Sequence, residues 1–103
     1  MTGDCPVAQT LRALGGKHGP HILHCLLGGE MHFLALAREL DPISKRVLRA
    51  QLRDFETGGL VAREVKDDAR RHVGYSLTGK GRALGEILSQ LYDWNQRFEV
   101  TSP

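Results

Sequence analysis

Arg46, Arg49 and Arg53 recur at i, i+3 and i+7 and share one helical face with Ala50. A guanidinium fork binds phosphate, or the O6/N7 edge of guanine, through paired hydrogen bonds. Ser44 and Lys45 precede this stripe, where a helix start would offer free N–H groups to an anion. A second cationic pair, Arg70 and Arg71, stands in the polar run from Lys66 to Arg71, beside Asp67 and Asp68, which offset part of its charge. A different chemistry belongs to Cys5. It directly precedes Pro6, so its sulfur would face the positive end of a first helix, which lowers a thiol pKa and raises the thiolate fraction. Cys25, among apolar residues, reads as an inert core thiol. His18, His21, His24 and Cys25 cluster, and His21 and Cys25 are one helical turn apart, a spacing that can chelate a metal. Solvent-facing histidines on a short helix are the commoner outcome, and no cofactor is expected.

The elements that would carry these residues can be read from periodicity. Pro6 to Leu14 forms a first helix with Val7, Leu11 and Leu14 on one stripe, stopped by Gly15-Gly16. Pro20 opens a second helix with Ile22, Leu23, Leu26 and Leu27 inward, and Gly28-Gly29 ends it. Phe33 to Leu40 is a short third helix that ends before Asp41-Pro42. Ser44 caps a fourth helix that runs to about Thr57 and buries Val47, Leu48, Leu52 and Phe55 opposite the arginines. Leu60 to Val65 and His72 to Leu77 alternate as strands around the polar tip. Thr78 caps a last helix, about Gly79 to Phe98, with Leu84, Ile87, Leu88, Leu91, Trp94 and Phe98 among its apolar positions.

A short helix, a tight turn and a second, polar-faced helix make a helix-turn-helix, and the hairpin behind it makes a wing. The expected fold class is therefore α+β and mainly helical: one winged helix-turn-helix domain over residues 1–103. The helix-turn-helix takes about 33–57, the wing 60–77, and a terminal dimerisation helix 79–98. The last helix carries more apolar surface than one small core needs. That predicts a two-fold homodimer, with recognition helices about 34–36 Å apart on duplex DNA.

Charge agrees with a polyanion partner. Residues 44–72 hold eight Lys/Arg against five Asp/Glu, and the rest of the 103-residue chain holds six against seven. No apolar run approaches the roughly 20 residues of a membrane span. The start, Met1-Thr2-Gly3-Asp4, lacks the basic and apolar regions of a signal peptide, so no membrane association and a cytoplasmic, reducing location are expected. No phosphate-cradling loop, Gly-x-Ser-x-Gly or His-Glu-x-x-His motif is present, so no enzyme is expected.

Several motifs extend this reading: Cys5-Pro6-Val7, Gly15-Gly16-Lys17, Ile43-Ser44, Gln51-Leu52, Gly59-Leu60-Val61, Arg63-Glu64-Val65, Tyr75-Ser76-Leu77-Thr78 and Asp93-Trp94. At these spacings, over about residues 5 to 95, the chain resembles the HxlR-type regulators of bacteria. The resemblance implies a winged helix, a homodimer through the terminal helices, and transcriptional control. It also implies that Cys5 is a candidate sensor of oxidants or electrophiles, since some members use the cysteine of Cys-Pro-Val in that way. The chain departs from the family where a tryptophan often follows Gly-Gly-Lys. Here His18-Gly19-Pro20 stands instead, which predicts a shortened second helix and space near the dimer helices. At the wing tip, Arg70-Arg71 stands where prolines are common. The alternative readings are a metal- or small-ligand-responsive regulator, with the effector unspecified, and a winged helix that contacts an acidic protein.

Overall fold

The computed structural model describes residues 5–66 and 73–98. Its elements are α1 (Pro6–Ala13), α2 (His18–Leu26), β1 (Met31–His32), α3 (Phe33–Glu39), α4 (Lys45–Thr57), β2 (Val61–Val65), β3 (Val73–Leu77) and α5 (Gly79–Phe98). The apolar stripes of α2, α3 and α4 meet in one core. Ile22, Leu23, Leu26, Leu36, Leu48 and Leu52 are fully buried there, and Phe55 closes the packing. Each such side chain contributes about 1.5–3 kcal/mol on leaving water. That burial decides which side of α4 faces inward.

Caps and turns set the helix ends. Ser44 is extended at the α4 N-cap, and its Oγ accepts the Val47 N–H at 3.0 Å. Thr78 does two jobs: its Oγ1 accepts the Gly81 N–H at 3.0 Å and donates to the Gly59 carbonyl at 2.6 Å. Lys80 Nζ donates to the Gly58 carbonyl at 3.0 Å, at the C-terminal end of α4. Gly81 is buried so tightly that a Cβ there would lie 1.9 Å from the Leu60 carbonyl oxygen. Only glycine lets α5 leave the sheet at that point.

The expected two-stranded wing is present as β2 and β3, and a third strand that the sequence did not announce joins it. The sheet has three antiparallel strands in the order β1-β3-β2. β1 pairs Met31 with Tyr75 and His32 with Gly74, while β2 and β3 pair from Val61↔Leu77 to Val65↔Val73. A two-residue strand is too short to show alternation, which is why β1 left no signal in the sequence. Three expectations need correction. α2 begins at His18, not at Pro20, because a proline in the first turn lacks an N–H that no carbonyl there requires. Val47 is 41% exposed, since the α4 core stripe is only as wide as Leu48, Leu52 and Phe55. On α1, Leu14 is buried, but Val7 and Leu11 are exposed, so that stripe does not face the chain's own core. Among the described residues, no helix is long and apolar enough to cross a membrane.

A candidate nucleic-acid interface

α4 follows α3 through a turn that ends at Ser44, and its outer side carries exposed cations. Lys45 is the first helical residue of α4, and Arg46, Arg49 and Arg53 are all exposed on its outer side. Leu48, Leu52 and Phe55 occupy the opposite side, in the core. The Arg49 guanidinium lies over the Phe33 ring, 4.4 Å from its centroid. At an exposed site such a contact stabilises by about 0.5–1 kcal/mol. It therefore orients Arg49 across the two helices without tying up its hydrogen-bond donors. Arg46 and Arg53 make no ion pair among the described residues. The first-turn N–H groups of α4 lie at the same edge, and only that of Val47 is taken by the cap.

Sequence reasoning missed one neighbour of this edge. Arg38, exposed on α3, borders a shallow depression with Lys45 and Asp41. Nothing in the helical stripe of α4 announces a cation on α3; its position beside Lys45 follows from the angle of the turn.

The wing root has a different character. Lys66 Nζ is 3.0 Å from Glu30 Oε1 and 3.3 Å from Glu64 Oε1. Hydrogen bonds to Glu30 and then Glu64 hold its pKa above the usual lysine value. The Glu30 carboxylate occupies the space over Gly74 that a Cβ would take. This cation is paired with carboxylates of the chain, whereas Arg46 and Arg53 of α4 make no ion pair among the described residues. Arg70 and Arg71 lie outside the described residues.

The two thiols are in opposite environments. Cys5 is the exposed, extended N-cap of α1. The N–H groups of Ala8 and then Val7 lower its pKa. No side-chain hydrogen bond meets strict geometry there, so the N–H groups act on the sulfur as nearby dipoles rather than as a closed cap. Cys25 is half-buried, and desolvation, followed by the Glu39 charge, raises its pKa. His21 and Cys25 border the same cleft, yet no three His, Cys, Asp or Glu side chains converge as a metal-binding group among the described residues.

A further surface is apolar. Val7 and Leu11 of α1 are exposed, as are Ile87, Leu91, Tyr92, Trp94 and Phe98 of α5, with Phe98 at 60%. Trp94 and Phe98 form a tilted ring pair 5.4 Å apart, one helical turn from each other.

Residues 13–102, which span the helix-turn-helix, the sheet and α5, match the HxlR-like helix-turn-helix family. The chain belongs to that family. Relatives that it matches over most of its length are named HTH-type transcriptional regulators. The HTH-type transcriptional regulator YdeP of Bacillus subtilis (strain 168) is 35% identical over 95 residues, covering 92% of this chain and 74% of that protein. Among solved structures, the redox regulator HypR in its reduced form superposes with a TM-score of 0.86 at 34% identity, covering 93% of this chain and 95% of that one. The reduced form of the B. subtilis regulator YodB gives a TM-score of 0.77 at 28% identity, covering 97% of this chain and 99% of that one. The three-stranded sheet and five helices of the described residues are thus an HxlR-type winged helix-turn-helix.

Proposed function

We propose that this regulator acts as a homodimer on an inverted-repeat DNA operator, and that modification of Cys5 by oxidants or electrophiles changes its affinity. The observation that carries the reading is the division of α4. Its leucines are locked inward, while Ser44, Lys45, Arg46, Arg49 and Arg53 stand together in solvent. α4 enters the major groove, Arg49 reads a base edge, and Ser44, Lys45, Arg46 and Arg53 contact phosphate or flanking bases. Arg70 and Arg71 reach the backbone or minor groove from the wing tip.

The exposed apolar side chains of α1 and α5 support a two-fold partner, because a lone chain leaves this surface in water. Redox response is supported by the lowered thiol pKa and full exposure of Cys5, and by the likeness to a redox regulator. A peroxide converts the Cys5 thiolate to a sulfenic acid, transferring one oxygen and leaving hydroxide, and a soft electrophile forms a carbon–sulfur bond at the same atom. A bacterial cytoplasm supplies both the operator and a reducing ground state for this thiol.

The test is selection of bound duplexes from random oligonucleotides by reduced and oxidised protein in parallel. The expected result is an inverted repeat with half-sites about one DNA turn apart, recovered by one redox state in preference to the other. Binding should fall with salt at a slope of about 0.9 per phosphate contacted. A shallow slope with no enriched repeat would favour contact with an acidic protein instead. Unchanged operator affinity after complete modification of Cys5 would remove the redox part alone.

A further inference from the structure

Phe33 stands at the junction of β1, α3 and α4. It is the first residue of α3 and directly follows β1, whose His32 pairs with Gly74 of β3. Its side chain is half-buried and packs against the core. The sheet pairing before it and the helix after it both fix its backbone, so the ring is a rigid seat. Arg49 of α4 uses that seat: its guanidinium carbon lies over the ring, 4.4 Å from the centroid. Among the described residues, neither Arg46 nor Arg53 has an aromatic partner. Arg49 is thus the α4 arginine whose direction is set before any ligand arrives.

We infer that Phe33 is a positioning residue for base readout, and that the base Arg49 reads is a guanine in each half-site. The inference deepens the regulator reading above and rests on it. Stacking uses the flat face of a guanidinium and leaves its N–H donors, which lie in the plane, available. A fork held in this way needs two acceptors side by side. In the major groove guanine offers O6 and N7, whereas adenine sets an N6 donor beside its N7, and that donor opposes an arginine donor. Phosphate oxygens accept the same fork, but they flank the groove where an unseated side chain reaches them, and Arg46 and Arg53 suit that part. The contact with Phe33 adds little stability at an exposed position, and the ring would stay packed against the core without it. Its consequence therefore lies in where the guanidinium points.

The test uses the full-length, reduced protein and the duplex that it selects from random oligonucleotides. Each base pair of that duplex is replaced in turn, and affinity is measured for the unaltered protein and for Arg49→Ala, Phe33→Leu and Phe33→Tyr. A further protein carries a trifluorinated phenylalanine at position 33, which keeps the shape of the ring and weakens the negative charge of its face. The unaltered protein should prefer guanine over adenine at one base pair per half-site by about tenfold or more, and Arg49→Ala should lose that preference. Phe33→Leu and the fluorinated ring should each reduce it about two- to fivefold, the size of an exposed cation–π contact, with preferences at the other base pairs kept. Phe33→Tyr, which retains an aromatic face, should restore it. If Phe33→Leu does not fold, the fluorinated ring decides the matter, because it fills the same space. An equal loss at every base pair, a full guanine preference with the fluorinated ring, or an Arg49-dependent preference for another base would overturn the inference. Those outcomes leave the operator in place. Failure to select any duplex strikes the regulator reading and this inference together.

Discussion

α4 and α5 are both amphipathic helices seated on the same core, and they send opposite surfaces outward. α4 buries Leu48, Leu52 and Phe55 and exposes arginines. α5 buries only Gly81 and Gly85, half-buries Leu84 and Leu88, and exposes Ile87, Leu91, Trp94 and Phe98. The first helix has finished its apolar business within the chain and keeps its charge for a polyanion. The second has not, and needs another apolar surface. Amphipathicity alone does not separate the two roles; the residue types left over after the core is filled do.

Substitutions can break that contrast, beginning with the largest effect. Leu52→Ala should destabilise the fold by about 2–5 kcal/mol, read as a lowered midpoint in urea, because it leaves a cavity under α4. Ile87→Asp combined with Leu91→Asp should leave the fold intact and abolish the proposed dimer, read by sedimentation. An equivalent pair of acids on the α4 core side would unfold the chain. Arg49→Ala should weaken specific operator binding by about 1–3 kcal/mol with almost no change in thermal stability, measured by titration at fixed salt. If stability falls as much as affinity, the contact with Phe33 is structural and Arg49 is not a reader. Ser44→Ala should cost about 1 kcal/mol of stability through the lost cap, and retention of full stability would mean that the Val47 N–H finds water as readily.

The thiols give the smallest and sharpest contrast. Alkylation of Cys5 should reach half its maximal rate below the usual thiol pKa, and that of Cys25 above it, in a pH series on Cys5→Ser and Cys25→Ser variants. The sign for stability follows. A depressed folded-state pKa favours the thiolate, so the contribution of Cys5 is present at high pH and is lost as pH falls through that folded value. For Cys25 the folded-state pKa is raised, so its contribution is present at low pH and disappears as pH rises through the folded value. Identical pH profiles for the two variants would remove the distinction.

The parts of the fold that were legible in the sequence share a cause. Ser44, the leucines of α4 and the arginines between them follow from one period of 3.6 residues, and the structure places them on the two sides that period demands. The unread parts depend on contacts between distant segments. β1 exists because Met31 and His32 meet Tyr75 and Gly74 in space, not because of any pattern in two residues. The clasp of Glu30 on Lys66 across Gly74 joins positions that no local rule connects. Arg38 joins the α4 edge only through the geometry of a turn. Exposure of Val7 and Leu11 was likewise hidden, because helical spacing shows that a stripe exists but not which chain it will cover.

The joint between α4 and α5 has a mechanical consequence. The Lys80 ammonium rests on the Gly58 carbonyl, the Thr78 hydroxyl on that of Gly59, and Gly81 leaves no gap against Leu60. Three successive residues at the end of one rod are thus clamped to the start of the next, with no slack between them. The long terminal rod and the short arginine-bearing one therefore meet at a stiff elbow rather than at a free hinge.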